Sequence, residues 1–76
     1  MRAFYRLRRP GSEGLTSCLS REELRSFLGG NADWPPGRYD VITGSSRDLL
    51  IGVPGSHWGV AVKHPDEMVE LIPDQV

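Results

Sequence analysis

The side chains of this sequence best suited to nucleophilic chemistry are one cysteine, two histidines and an aspartate. Cys18 lies just before a predicted helix, a position that can lower the pKa of a thiol, and His57, His64 and Asp66 offer a base and a carboxylate to orient it. No spacing along the chain brings these residues together, and Cys18 is equally typical of a small apolar residue at a strand–helix junction. We therefore expect no enzymatic activity and no catalytic residue.

Metal and phosphate sites have little support in the sequence. Two histidines and one cysteine at these positions match no compact ligand spacing, and no glycine-rich segment is followed by the Lys-Ser or Lys-Thr of a phosphate-binding loop. His64-Pro65-Asp66 matches the tripeptide of J-domain co-chaperones, but here it separates two β-rich segments instead of two long helices, and turn chemistry explains it. We expect no metal and no cofactor.

The first segment alternates apolar and basic residues, which predicts a half-buried strand. The face of this strand opposite Tyr5 and Leu7 combines arginines with an aromatic ring: Arg2, Phe4, Arg6 and Arg8. This combination is typical of single-strand nucleic-acid binding, because bases stack on the ring while guanidinium groups follow the phosphates. The same charges also protect a sheet edge from aggregation, or contact an acidic protein surface.

Charge is unevenly distributed along the chain. The formal net charge is −1, but residues 1–30 carry +3 and residues 31–76 carry −4. Few cations in a net negative protein argue against direct nucleic-acid binding. Carboxylates gathered by antiparallel strands would instead complement a protein complex with a basic nucleic-acid groove, although scattered solubilising charge explains any single one. The candidate contacts are Asp40, Asp48, Asp66, Glu67 and Glu70, with Arg6, Arg8, Phe4 and Trp34 as a second set.

Length and composition limit the architecture that positions these residues. The 76 residues predict a single domain, and 38% hydrophobic with 25% charged residues is ordinary for a folded protein. The longest apolar stretch is Leu49-Leu50-Ile51, so we expect no membrane span, and the first residues lack the apolar core of a signal peptide. We expect a cytosolic protein that is a monomer or a weak dimer.

The clearest local signal is a short helix. Ser20 and Glu23 form the pattern of a capping box, and Leu24, Phe27 and Leu28 give one apolar stripe. The glycines at 29 and 30 predict its end. The following loop, residues 31–37, is restricted by paired prolines, and its Trp34 either packs on the sheet or stands exposed as a contact residue.

Four further strands are predicted after Gly37, over residues 39–43, 49–53, 58–62 and 68–72. The order β-α-β-β-β-β predicts an α+β fold, a four- or five-stranded antiparallel sheet with one short helix on one face. A short extra strand at residues 15–17 is an alternative. The predicted core is Tyr5, Leu7, Leu24, Phe27, Leu28, Val41, Ile51, Val60, Val62 and Leu71.

This layout resembles that of small phage-encoded anti-CRISPR proteins of type I systems. The matching features are Met1-Arg2-Ala3 at the opening strand, Leu19-Ser20 leading into the helix, and the strands after Gly37. The resemblance implies a non-enzymatic inhibitor that binds the backbone subunits of a crRNA-guided surveillance complex and blocks target-DNA hybridisation. The acidic second half of this chain departs from the more basic members, and it favours occlusion of a basic DNA groove.

Overall fold

Among the described residues, the fold is one antiparallel sheet with a ten-residue helix packed on one face. The computed structural model describes residues 3–9, 11, 14–16, 19–45, 47–48, 51–53 and 55–74. Its elements are β1 (Ala3–Arg8), α1 (Arg21–Gly30), β2 (Gly37–Ser45), β3 (Ser56–Lys63) and β4 (Val69–Pro73). The four strands lie in the order β1-β2-β3-β4, each antiparallel to its neighbours. This confirms the predicted α+β class and the antiparallel sheet.

The helix begins and ends where the sequence predicts. The Ser20 hydroxyl accepts a hydrogen bond from the Glu23 N–H at 3.2 Å, and the Ser20 N–H donates to the Glu23 carboxylate at 3.3 Å. These two bonds satisfy backbone donors that a helix start otherwise leaves unpaired. Leu24 and Leu28 are the fully buried residues of the helix, which ends at Gly30.

The predicted strand over residues 49–53 is wrong for its described part. Ile51 and Gly52 form a turn, and the N–H groups of Ile51 and Val53 bond back to the carbonyls of Arg47 and Asp48 at 3.1 and 2.9 Å. One reason is that these backbone N–H groups form hydrogen bonds within the turn and need no neighbouring strand. The other is that β2 pairs directly with β3, so no strand fits between them. Ile51, predicted in the core, is 68% exposed.

The core lies between α1 and one face of the sheet. Its buried members are Leu7, Leu24, Leu28, Tyr39, Val41 and Ala61, against which the predicted Tyr5, Phe27 and Leu71 are partly buried. Val60 and Val62 are half-buried on the opposite face, which corrects their assignment to this core. Strand alternation is the reason, because Ala61 between them points inward and is fully buried.

The two edges of the sheet differ. Along β1, two described parts of the β1–α1 connection make contact: Leu19 and Tyr5 exchange backbone hydrogen bonds of 2.8 and 2.9 Å, and the Leu7 N–H donates to the Thr16 hydroxyl at 3.0 Å. Leu15 makes only an isolated bridge to Arg8. On the other edge, β4 pairs with β3 alone among the described residues. Within this described part of the chain, no helix is long and apolar enough to cross a membrane.

Candidate functional site

The face of the sheet turned away from α1 is the main candidate site, and we call it the open face. Because Leu7, Tyr39 and Val41 point into the core, the alternate residues of the same strands point the other way. The strand register places them in rows, with Arg8, Asp40, Val60 and Ile72 forming one continuous row across all four strands. The open face comprises Phe4, Arg6, Arg8, Arg38, Asp40, Ile42, Val60, Val62, Glu70 and Ile72.

A line of charged side chains extends from β1 to the end of β4. Arg8 Nη2 lies 3.4 Å from Asp40 Oδ2, His57 Nε2 lies 3.4 Å from Asp40 Oδ1, and His57 Nδ1 lies 2.6 Å from Asp74 Oδ2. The register shift between Val41 and Ile42 adjusts the pairing so that Ile42 lies opposite His57. The hydrogen bond to Asp74, reinforced by Asp40, raises the pKa of His57 above its usual value.

Three residues of the predicted strand face, Phe4, Arg6 and Arg8, are present on β1, and the fourth, Arg2, lies outside the described residues. All three side chains are half-buried on the open face, since the intervening Tyr5 and Leu7 pack towards the helix. Arg6 Nε is buried and has no hydrogen-bond partner among the described residues. Arg8 is already paired with Asp40, so part of the cationic charge predicted for this face is neutralised within the fold.

Two of the five predicted acidic contacts lie on the open face. Asp40 is central and is shared between Arg8 and His57. Glu70 lies on β4, where its Oε1 is 2.6 Å from His64 Nε2. Both carboxylates are therefore held in position by a neighbouring side chain, and neither is an isolated surface charge.

The other three acidic residues lie at turns on opposite ends of the sheet. Asp66 accepts a hydrogen bond from the Met68 N–H at 3.0 Å, and Glu67 Oε2 lies 3.4 Å from Lys63 Nζ, both in the β3–β4 turn. Asp48 follows β2, at the opposite end. The structure thus divides the predicted acidic set between one face and two ends.

Trp34 is both packed and accessible, which combines the two alternatives expected for it. Its ring contacts Phe27 and Tyr39 with centroid separations of 5.8 and 4.9 Å, and the Arg9 guanidinium carbon lies 4.8 Å from the ring centroid. The half-buried ring also lines a groove of about 380 Å³ beside Leu15. This groove lies on the helix side of the molecule, away from the open face.

Two features of the structure carry no local signal in the sequence. Lys63 is only 3% exposed, although its type and its position near a strand end are typical of solvent exposure. Asp74 follows the last strand and reaches His57 only because β4 lies beside β3. The burial of Lys63 and the contact of Asp74 with His57 both depend on strand register, which a local sequence pattern does not indicate.

The residues considered for catalysis do not assemble in the described part of the chain. His57 lies at the start of β3 and His64 follows its end, so the length of a strand separates them. Cys18 lies outside the described residues. Among the residues that are described, no group of three or more His, Cys, Asp or Glu side chains is arranged to hold a metal ion.

Comparison of the chain with protein-family models, with curated proteins and with solved structures finds no match.

Proposed function

We propose that this chain is a non-enzymatic binding protein that docks through its open face. The observation that carries the proposal is a sheet face that α1 and the other described residues leave uncovered. Its centre is apolar, formed by Ile42, Val60 and Val62, and Ile72 beside them is 41% exposed. An apolar centre inside a rim of charged groups is the usual composition of a protein interface.

The charges around this centre support a partner with two oppositely charged regions. Arg6 and Arg8 lie on β1 at one side of the sheet, whereas Glu70 and Asp74 lie on or after β4 at the other. The opposite charges of the two halves of the sequence therefore become opposite sides of one surface. A partner with basic groups facing β4 and acidic groups facing β1 would complement it.

The narrower proposal is inhibition of a type I crRNA-guided surveillance complex in a bacterial host. Its support is the strand–helix–sheet layout and the carboxylates on the β4 side, which suit a basic groove that normally receives DNA. Occupation of that groove by the open face would block target-DNA hybridisation sterically and electrostatically. No step of this mechanism requires catalysis or a cofactor.

Co-elution of the tagged protein with purified type I surveillance complexes tests this proposal. We expect binding to be weakened in Ile72→Asn and retained in Ile51→Asn, because the second substitution is chemically identical but lies on the exposed β2–β3 connection. Target-DNA binding, measured by fluorescence anisotropy, should fall as the protein is added. Absence of co-elution from several type I complexes would overturn the narrower proposal, and equal effects of the two variants would overturn docking through the open face.

Direct single-strand nucleic-acid binding is the second candidate, favoured by Phe4, Arg6 and Arg8 on one face. Pairing of Arg8 with Asp40 reduces the charge available to phosphates. We expect no anisotropy change with short oligonucleotides even at low salt. Binding that falls steeply with salt and is lost in Phe4→Ala would replace the first proposal with this one.

A further inference from the structure

A second surface, on the helix side of the molecule, combines two arginines with a tryptophan. The guanidinium carbon of Arg21 lies 5.2 Å from the ring centroid of Trp58 and 6.0 Å from that of Tyr5. The two rings meet edge to face at 5.6 Å, so they form a fixed support for the cation. Arg21 is thus oriented before any ligand arrives.

Arg25 lies one helical turn further along α1 and lines the same cleft. The cleft has a volume of about 110 Å³, and its other walls are Trp58, Leu71 and Pro73. We call it the basic cleft. It combines cationic groups with apolar walls, which suits a ligand that has both a charged end and a hydrocarbon stem.

Neither arginine of the basic cleft has an ion-pair partner within the residues that the structure describes. A guanidinium group stacked on a ring uses its face, so the N–H groups at its edge remain available in the plane. Two like charges four residues apart on a helix also repel each other. An anionic group placed between them would satisfy the donors and remove the repulsion.

We propose that the basic cleft binds an acidic segment of a partner protein, with carboxylates paired to Arg21 and Arg25. A carboxylate accepts two parallel hydrogen bonds from a guanidinium group, and the methylenes of a glutamate match the apolar walls of Leu71 and Pro73. A nucleic-acid backbone is a poorer fit, because its affinity depends on many cations and this site offers two. The basic cleft lies on the helix side of the sheet, so this proposal does not depend on docking through the open face.

Titration of the ¹⁵N-labelled protein with a capped tetra-glutamate peptide tests the proposal by NMR. We expect saturable shifts of the Trp58 indole N–H and the Arg21 Nε–H signals. Arg25→Gln should weaken binding by about tenfold, because it removes one of the two charged donor groups. Arg47→Gln is the matched control, since it makes the same charge change at an exposed position on the β2–β3 connection and should leave the affinity unchanged.

Three results would overturn the proposal. Absence of shifts at millimolar peptide would show that the cleft does not bind carboxylates. Equal weakening by Arg25→Gln and Arg47→Gln would assign the binding to net charge. Tighter binding of a thymidine oligonucleotide with the same number of negative charges would identify a phosphate site and exclude the acidic protein segment as its ligand.

Discussion

His57 connects the carboxylate of Asp40 on β2 with that of Asp74, which follows β4. Its Nδ1 is 2.6 Å from Asp74 and its Nε2 is 3.4 Å from Asp40, so the protonated imidazolium can donate to both. The hydrogen bond to Asp74 makes the largest contribution to the raised pKa of His57, and the bond to Asp40 adds to it. A raised pKa in the folded state means that protonation of His57 stabilises the fold.

The stability of the protein should therefore depend on pH through His57. The contribution is complete below the unfolded pKa of about 6.5 and is lost as the pH rises through the higher folded value. Urea unfolding at about pH 5.5 and about pH 8.5 measures it. The advantage of the native protein over His57→Gln should be larger at the lower pH, and an equal difference at both values would contradict the assigned network.

Residue-level placement could be predicted where it depends on alternation alone. The face shared by Phe4, Arg6 and Arg8 follows from the period of a strand, and the structure has it. The partners of Asp40 could not be predicted, because they depend on which strands are neighbours and on the register shift beside it. For the same reason the burial of Lys63 could not be predicted.

At the level of elements, Lys63 fixes the loop that joins α1 to β2. Its Nζ donates to the carbonyls of Asn31 and Trp34 at 2.9 and 2.7 Å, from a side chain that is almost completely buried. The Tyr39 hydroxyl donates to the Pro35 carbonyl of the same loop. Trp34 is therefore held against the core by bonds to its own backbone and to that of its neighbours.

Replacement of Lys63 by methionine should destabilise the protein. The substitution keeps an unbranched side chain of similar length but leaves two carbonyl groups without their donor, at a cost of about 2 kcal/mol in the free energy of unfolding. Arg38→Met, at an exposed position near the start of the adjacent strand, should change it by less than about 0.5 kcal/mol. Equal midpoints in urea for the two variants would show that Lys63 does not hold the loop.

Elements that depend on local residues could be predicted from the sequence, whereas a strand also depends on pairing with distant segments, which its own residues do not show. The start of the helix was predictable because Ser20 and Glu23 are local signals that cap it as expected, whereas the two terminal glycines lie inside the helix and neither adopts the left-handed conformation of a glycine stop. The predicted strand at residues 49–53 is wrong for residues 51–53, the part that is described, because a short apolar run does not show whether its backbone will pair with a neighbour or with itself. Ile51 bonds to the preceding Arg47 carbonyl, which completes a turn.

At the scale of the whole molecule, one face of the sheet is buried against α1 and the other is accessible to solvent. In the part of the chain that is described, the ten residues of α1 cover one face only, and Val41 on that side is 1% exposed. Val62 lies on the open face and is half-buried. This asymmetry leaves apolar side chains accessible on the open face, and the core is smaller than that of a sheet covered on both faces.

The same substitution on the two faces should therefore have different costs. Val41→Thr places a hydroxyl where no water reaches and should lower the free energy of unfolding by about 2 kcal/mol. Val62→Thr leaves the hydroxyl in contact with solvent and should cost less than about 0.5 kcal/mol. Urea unfolding at two protein concentrations checks both values. An equal loss in the two variants would contradict an uncovered open face, and if stability also rose with protein concentration, a second copy of the chain would be what covers it.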